Sequence, residues 1–195
     1  MHFHNHSMDN HSNHDHFICP PWLAGMLESP LRKVMHKPER LLSGLVEPGM
    51  TVLDIGCGPG FFTLAMARLV GPNGRVIAAD LQPEMLARVR AHAEKEGLLE
   101  RITLHQCEPM RIGLAGPVDF VLAFWMVHEV PDRQAFLNEV YHLLKPGGRL
   151  LVVEPQMHVD RINFAETMKL AAGRGFTPLG ERKVTISRAM VLEKK

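Results

Sequence analysis

Short apolar runs alternate with longer amphipathic segments through most of the chain, beginning at Gly49. The runs are rich in β-branched residues, and each is followed by a segment whose apolar residues recur at helical spacing. Such alternation is typical of an α/β fold, in which helices cover both faces of a parallel sheet. The pattern predicts strands over residues 50–55, 75–80, 101–106, 118–124 and 149–154, and helices over 60–70, 83–96 and 132–143.

Two further elements are predicted near the C-terminus. The stretch VDRINFAETMKLAAGRGF predicts a helix that ends at Gly173 or Gly175, because glycine commonly terminates helices. The stretch KVTISRAMVLEKK alternates like a strand. We therefore assign residues 49–195 to a single α/β domain.

The chain before this domain has two parts of different composition. Residues 1–16 carry six of the twelve histidines among Asn, Ser and Asp, which predicts a disordered tail, with a metal-binding tract as the alternative. Residues 17–48 predict short helices separated by prolines. We expect this segment to form a lid in which Trp22 and Met26 cover the ligand site. The short helices are predicted near residues 22–27, 30–36 and 38–45.

Composition and charge exclude several classes of protein. The formal net charge of +1 gives no electrostatic case for binding nucleic acid or a membrane surface. No apolar run approaches the roughly 18 residues that a membrane-spanning helix needs. The N-terminus lacks a basic region followed by an apolar one, and three cysteines argue against a disulfide framework. We expect a cytoplasmic protein.

The stretch VLDIGCGPGFF marks the predicted ligand site, because a buried strand meets a glycine-rich loop and the start of a helix there. The spacing is G-x-G-x-G, whereas dinucleotide-binding proteins use G-x-G-x-x-G. Asp54 precedes Gly56 by two residues and would repel a pyrophosphate. No Gly-Lys-Ser/Thr follows, so a phosphate-binding P-loop is disfavoured. An acid here suits a cationic ligand without phosphate, such as S-adenosylmethionine (SAM).

The carboxyl ends of the other strands supply further candidates, because ligands of parallel sheets bind at that edge. Asp80 lies 20 positions after Gly60, where an acid can accept hydrogen bonds from both ribose hydroxyls. A helix N-cap before Pro83 is the alternative role for Asp80. Leu81 could cover one face of an adenine, and Cys107 with Glu108 could contact its edge.

Four stretches resemble, in order and spacing, the successive motifs of the class I SAM-dependent methyltransferases. They are VLDIGCGPGFFTLAMA, VIAADLQPEML, PVDFVLAFWMVHEVPD and LLKPGGRLLVVEP, and they cover roughly residues 49–155. The pattern is most similar to the small-molecule branch of ubiquinone and menaquinone methyltransferases. The resemblance implies a Rossmann-like doubly wound sheet of about seven strands, mostly parallel. It also implies an antiparallel last strand inserted between strand five and a short sixth strand near Phe176 to Leu179.

The resemblance also assigns roles to residues of the predicted site. Asp54 and the glycine loop would hold the methionyl end, and Gly60 would open the helix beneath it. Phe124 and Trp125 would line the side of the sulfonium, where an aromatic face favours a cation. The family commonly has an Asp after strand three, for which Glu108 is the substitute here. The predicted cofactor-binding residues are Asp54, Gly56, Cys57, Gly58, Gly60, Asp80, Leu81, Cys107, Glu108, Phe124 and Trp125.

Methyl transfer needs a base only when the acceptor arrives protonated. His128 and Glu129 follow strand four and are the candidate catalytic residues, since a histidine titrates near neutrality. The alternative is that both residues open the following helix or bond loop backbone.

Other functions remain open from the sequence. Cys19 and Cys107 could bind a soft metalloid such as arsenite, because thiolates suit soft acceptors. A SAM-binding protein without a productive acceptor site, or a metal-handling protein that uses the histidine-rich tail, would retain the same glycine loop. A nucleic-acid methyltransferase is disfavoured, because AFWM stands where amino-methylating DNA enzymes carry Asn/Asp-Pro-Pro-Tyr/Phe.

Overall fold

A computed structural model describes residues 37–195 of the chain. The predictions for the histidine-rich tail, for most of the N-terminal helical segment and for Cys19, Trp22 and Met26 lie outside the described residues.

Seven strands form one sheet in the order β3-β2-β1-β4-β5-β7-β6. Strands β1 to β5 are parallel to one another, and β7 is antiparallel to both β5 and β6. The predicted fold class and the insertion of the last strand between strands five and six are therefore confirmed. The strands are β1 (Thr51–Ile55), β2 (Arg75–Asp80), β3 (Ile102–Gln106), β4 (Val118–Phe124), β5 (Leu144–Pro155), β6 (Phe176–Glu181) and β7 (Ser187–Lys194).

Five α-helices connect or flank these strands in the described part of the chain. Gly175 terminates the last helix in the left-handed conformation, with φ of 117°. None of the helices between residues 37 and 195 is both long enough and apolar enough to cross a membrane. The helices are α1 (Pro38–Leu42), α2 (Phe61–Val70), α3 (Pro83–Lys95), α4 (Arg133–Leu143) and α5 (Arg161–Arg174).

Three predicted boundaries are wrong by more than two residues, and one of them is the start of β7, which is predicted at Lys183 and lies at Ser187. The helix expected over 38–45 ends at Leu42, and Ser43 departs from helical geometry with ψ of 127°. Strand β5 begins at Leu144 rather than at residue 149. Leu144 pairs with Val118 before an irregularity in the register of β4, so the Pro-Gly-Gly stretch lies inside a strand. A proline followed by two glycines is more typical of a turn.

The hydrophobic core has two layers, one on each face of the sheet. Val52 and Phe120 pack on the face covered by α1, α2 and α3. Leu53 and Val121 pack on the opposite face against α4 and α5. Because side chains alternate along a strand, Asp54 lies on the same face as Val52 and meets the start of α2. The carboxyl ends of β1 to β5 then lie along one edge of the sheet.

A pair of glycine substitutions tests this packing. A Cβ built on buried Gly74 would lie 2.4 Å from Val70 Cβ and 2.6 Å from the Val70 carbonyl oxygen. We therefore expect Gly74→Ala to lower the free energy of unfolding by about 2–3 kcal/mol, since backbone cannot yield as a side chain does. Gly173 is exposed in the last turn of α5, and no atom lies within 4 Å of a Cβ built there.

Gly173→Ala is the matched control and should stabilise the protein by about 0.5–1 kcal/mol, because alanine loses less backbone entropy in a helix. Urea unfolding of both variants provides the measurement. Equal stability of the two variants would contradict the packing described at Gly74.

Candidate active site

The glycine loop after β1 folds back over the end of β2. The amides of Gly56 and Cys57 both donate to the Ala79 carbonyl, at 2.8 and 3.1 Å. Gly58 has φ of +53°, and no atom lies within 4 Å of a Cβ built there. Gly60 is the N-cap residue of α2, and no side chain caps this helix. The loop thus offers backbone and open space beside a helix N-terminus, as a ligand-binding loop requires.

Asp80 joins the end of β2 to the glycine loop. Its Oδ2 accepts a hydrogen bond from the Gly58 amide at 2.9 Å, and its Oδ1 accepts one from the Gln82 amide at 3.0 Å. The residue is only 8% exposed, and burial raises the pKa of its carboxyl despite these backbone donors. Gln82, rather than Asp80, is the N-cap residue of α3. The N-cap alternative for Asp80 is therefore wrong.

Asp54 lies at the end of β1, beneath the first turn of α2. Its Oδ2 accepts a hydrogen bond from the Thr63 hydroxyl at 2.6 Å, and the residue is 2% exposed. Thr63 is itself fully buried. The position of the acid is thus set by a helix side chain that the glycine motif does not include.

The segment after β3 carries the residues predicted to contact an adenine. Cys107 donates its amide to the Asp80 carbonyl at 2.9 Å, which holds it beside the end of β2. Glu108 is exposed and forms an isolated bridge with Arg111. Glu139 of α4 accepts hydrogen bonds from the amides of Ile112 and Gly113, so it anchors this loop. Adenine contacts by half-buried Leu81, by Cys107 and by Glu108 stay predictions.

Aromatic side chains lie at the end of β4. The Phe124 ring packs 4.4 Å from that of Phe62 and 5.3 Å from that of Trp125, measured between ring centroids. Trp125 has φ of 59°, a conformation uncommon outside glycine and found where function constrains the backbone. Its indole Nε1 donates to the Ser187 hydroxyl at 3.0 Å, so β7 supports it. Both aromatic residues therefore reach the ligand edge of the sheet.

His128 and Glu129 lie in a short 3-10 turn, Val127–Glu129, between β4 and α4. Helix α4 begins at Arg133 with Asp132 as its N-cap, so neither residue opens that helix. The Nδ1 atom of His128 lies 2.5 Å from Oε2 of Glu154, which is 2% exposed at the end of β5. The other oxygen, Oε1, accepts a hydrogen bond from the Val127 amide at 2.9 Å. Glu154 therefore holds the turn and the imidazole together.

The site is acidic, and its groups influence one another. Burial alone would lower the pKa of His128, but its hydrogen bond to Glu154 and the charges of Glu154 and Glu129 raise it overall. Burial, with Glu154 and Asp80 nearby, raises the pKa of Glu129 to about 6, although His128 opposes this. Because the charge of Asp80 acts on Glu129, the segments that follow β2 and β4 lie near each other at this edge of the sheet.

The comparison with known proteins agrees with this geometry. The methyltransferase domain family matches residues 46–174. The chain belongs to the class I SAM-dependent methyltransferases. The crystal structure of a SAM-dependent methyltransferase from Aquifex aeolicus has a TM-score of 0.81 and 26% identity, and covers 90% of this chain and 99% of that chain. The predictions of the family, of the methyltransferase class and of SAM as its cofactor are confirmed.

Two curated relatives carry more specific names. A ubiquinone biosynthesis O-methyltransferase from Xanthomonas axonopodis pv. citri (strain 306) is 36% identical over 134 residues, which are 67% of this chain and 54% of that protein. An arsenite methyltransferase from Halobacterium salinarum is 35% identical over 106 residues, or 54% of this chain and 27% of that protein. This methyltransferase chain thus spans about half of the first relative and a quarter of the second.

Sequence patterns predicted most residues of this candidate site, but they missed the residues that support them. Thr63, Glu139 and Glu154 hold Asp54, the loop after β3 and His128, respectively. Glu154 ends the apolar run of a predicted strand. This position is the signal that could have identified it, because a buried acid must find a partner. The contacts of Thr63 and Glu139 depend on helix packing and leave no signal in the local sequence.

Substitution of Asp80 tests its predicted role. We expect Asp80→Ala to weaken SAM binding by roughly 1–3 kcal/mol, because hydroxyls held in the site would lose a charged acceptor. Asp80→Asn is the matched variant, since its amide oxygen can still accept from the Gly58 amide while the charge is lost. Calorimetric titration with SAM measures both, and wild-type affinity in both would refute the ribose assignment.

Glu129 generates a prediction about stability and pH. Because its pKa is raised in the folded protein from 4.5 to about 6, stability present at low pH is lost as the pH rises through this interval. Glu129→Gln cannot ionise, so its stability relative to wild type should be about 2 kcal/mol more favourable at pH 8 than at pH 4. Urea unfolding at the two pH values measures this difference.

Glu94→Gln removes the same charge from an exposed position of α3 and is the control. An equal difference between Glu129→Gln and wild type at both pH values would contradict the shifted pKa.

Proposed function

We propose that the protein transfers the methyl group of SAM to a small-molecule acceptor bound beside His128. The observation that carries the proposal is the bond between Asp80 and the Gly58 amide, because it brings a buried carboxylate to the glycine loop. When bound, SAM supplies an electrophilic methyl group, and the methyl transfer leaves S-adenosylhomocysteine. The remaining task of the protein is to align the acceptor with that group and to exclude water.

The described residues fit such a cofactor. A carboxylate has about four lone-pair positions, and Asp80 uses two for backbone amides, so it retains capacity for ribose hydroxyls. Open space over Gly58 lets a ligand approach the backbone. Buried Asp54 supplies negative charge beneath the loop, which favours the cationic methionyl end. Phe124 and Trp125 provide aromatic surface at the neighbouring strand end, which suits a sulfonium.

A small-molecule acceptor is supported by the names of the relatives and by the modest charge of the chain. The Xanthomonas relative is named for an O-methyltransferase of ubiquinone biosynthesis. The net charge of +1 gives no electrostatic case for a nucleic-acid substrate. We retain a cytoplasmic location and a lid formed by the N-terminal helical segment as parts of the proposal.

An arsenite acceptor is less well supported, despite the name of the Halobacterium relative. Burial, with Asp80 and Glu139 nearby, raises the pKa of Cys107 to about 12. Burial likewise raises the pKa of Cys57, in the glycine loop, well above its usual value. Both thiols are therefore protonated near neutrality, whereas a soft metalloid is held by thiolates.

A combined binding and transfer experiment tests the proposal. Calorimetric titration should show binding of SAM and S-adenosylhomocysteine and none of NAD. SAM with a labelled methyl group, incubated with quinols, phenols, thiols and arsenite, should then label a quinol or phenol. Binding of SAM without labelling of any acceptor in the panel would favour a SAM-binding protein that lacks methyltransferase activity. Tight binding of NAD without SAM binding would refute the proposal outright.

A further inference from the structure

Glu154 is buried at the end of β5 and uses both carboxylate oxygens. One oxygen accepts from the Val127 amide at 2.9 Å, and the other lies 2.5 Å from Nδ1 of His128. The side chain of Glu154 is 3% exposed, whereas that of His128 is 21% exposed. The carboxylate is thus enclosed in protein, whereas the imidazole remains partly accessible to a ligand.

This contact fixes which nitrogen of His128 carries the proton. A carboxylate only accepts hydrogen bonds, so Nδ1 must be the donor, and Nε2 of the neutral ring is left as an acceptor. The ring is held from a second side by His158, whose ring centroid lies 5.6 Å away at 79°. The titratable groups that face the imidazole are Glu154 and His158, from β5 and the segment after it, and Glu129 from its own turn.

Glu129 cannot replace Glu154 in this role. Its Oε1 lies 4.0 Å from Nε2 of His128, which is too far for a hydrogen bond. Glu129 also approaches the nitrogen on which an acceptor would act, whereas Glu154 approaches the opposite nitrogen. The two carboxylates therefore have different consequences for the ring, and of these two only Glu154 is placed to set the tautomer.

We propose that Glu154 is a positioning residue that holds His128 as a general base for an acceptor carrying an ionisable hydroxyl, such as a phenol. This inference rests on the proposed function and narrows its acceptor class. In the transfer step, the hydroxyl proton moves to Nε2 of His128 and the acceptor oxygen bonds to the methyl carbon. The electron pair of the broken carbon–sulfur bond stays on the sulfur of the departing S-adenosylhomocysteine. Glu154 stabilises the resulting imidazolium, which then releases its proton to water.

A purely structural role predicts different behaviour. The bond to the Val127 amide alone would explain an acid that holds the turn, and a neutral amide could replace it there. Glu154→Gln separates the two roles, because its amide oxygen can still accept from Val127 while its NH2 group faces Nδ1. An NH2 group donates, so His128 should move its proton to Nε2, the nitrogen that must accept.

The first measurement uses the wild-type protein. Nitrogen-15 NMR of histidine-labelled protein, with the His128 signal assigned by its loss in His128→Gln, reports the tautomer directly. We expect the neutral ring to carry its proton on Nδ1, with and without S-adenosylhomocysteine. Protonation on Nε2 in the wild-type protein would overturn the inference, and this result does not depend on whether Glu154→Gln folds.

The second measurement uses Glu154→Gln, with Glu129→Gln as the matched control. In Glu154→Gln we expect the His128 tautomer to invert and the pKa of His128 to fall below its wild-type value. Glu129→Gln should leave the tautomer unchanged. With the phenol that gives the highest turnover in the acceptor panel, Glu154→Gln should lower kcat about 100-fold while KM for SAM stays within twofold.

Failure of the proposed function can be told apart from failure of this inference. If the wild-type protein does not bind SAM, the proposed function is refuted, whichever tautomer His128 adopts. Binding of SAM without turnover of any phenol would overturn the acceptor class inferred here. An unchanged tautomer or an unchanged kcat in Glu154→Gln would overturn the positioning role and leave the proposed function intact.

Discussion

The carbonyl of Ala79 accepts the amides of both Gly56 and Cys57, and these two bonds fix where the loop after β1 meets the end of β2. Parallel pairing brings Ile55 opposite Ala79, so β1 ends one residue before β2 does. The loop must then turn back over the longer strand, which the positive φ of its glycines allows. Asp80, the next residue, can thereby reach the Gly58 amide. The position of the candidate site follows from this offset between two strand ends.

The antiparallel strand β7 supplies a second constraint at the same edge. Its first residue, Ser187, pairs with Pro155 at the carboxyl end of β5. The Ser187 hydroxyl accepts from the Trp125 indole and donates to the Thr185 carbonyl. Trp125 and Ile186 both have positive φ, at 59° and 52°, which is costly for a tryptophan and especially for a β-branched residue. Both strained residues therefore lie beside the hydrogen bonds of the Ser187 hydroxyl. Strand β7 thus supports Trp125 at the end of β4.

The sequence predicted those elements whose formation depends on residues close together in the chain. Alternation of apolar runs and amphipathic segments indicated the five parallel strands, since each must bury both faces. The glycine spacing and Asp54 predicted the loop after β1, because the turn and the helix start that follow the strand also depend on neighbouring residues. The insertion of β7 came only from family resemblance, because strand pairing is set by contacts far apart in sequence. The same limit applies to Glu154, which meets His128 across 26 positions, and to β5, whose register with β4 incorporates glycines that resemble a turn.

Asp80 and Glu129 are the physical reason to expect a cation rather than a phosphate at this edge of the sheet. Burial raises the pKa of Asp80, and burial together with Glu154 and Asp80 raises that of Glu129, so their ionised forms are costly without a counter-charge. Hydrogen bonds from backbone amides offset part of that cost for Asp80, and the nearby His128 charge offsets part of it for Glu129. A bound cation would favour both carboxylates, whereas a pyrophosphate would add to the repulsion. Under the proposed function, binding of a cationic ligand at this edge would therefore be linked to proton release from these acids.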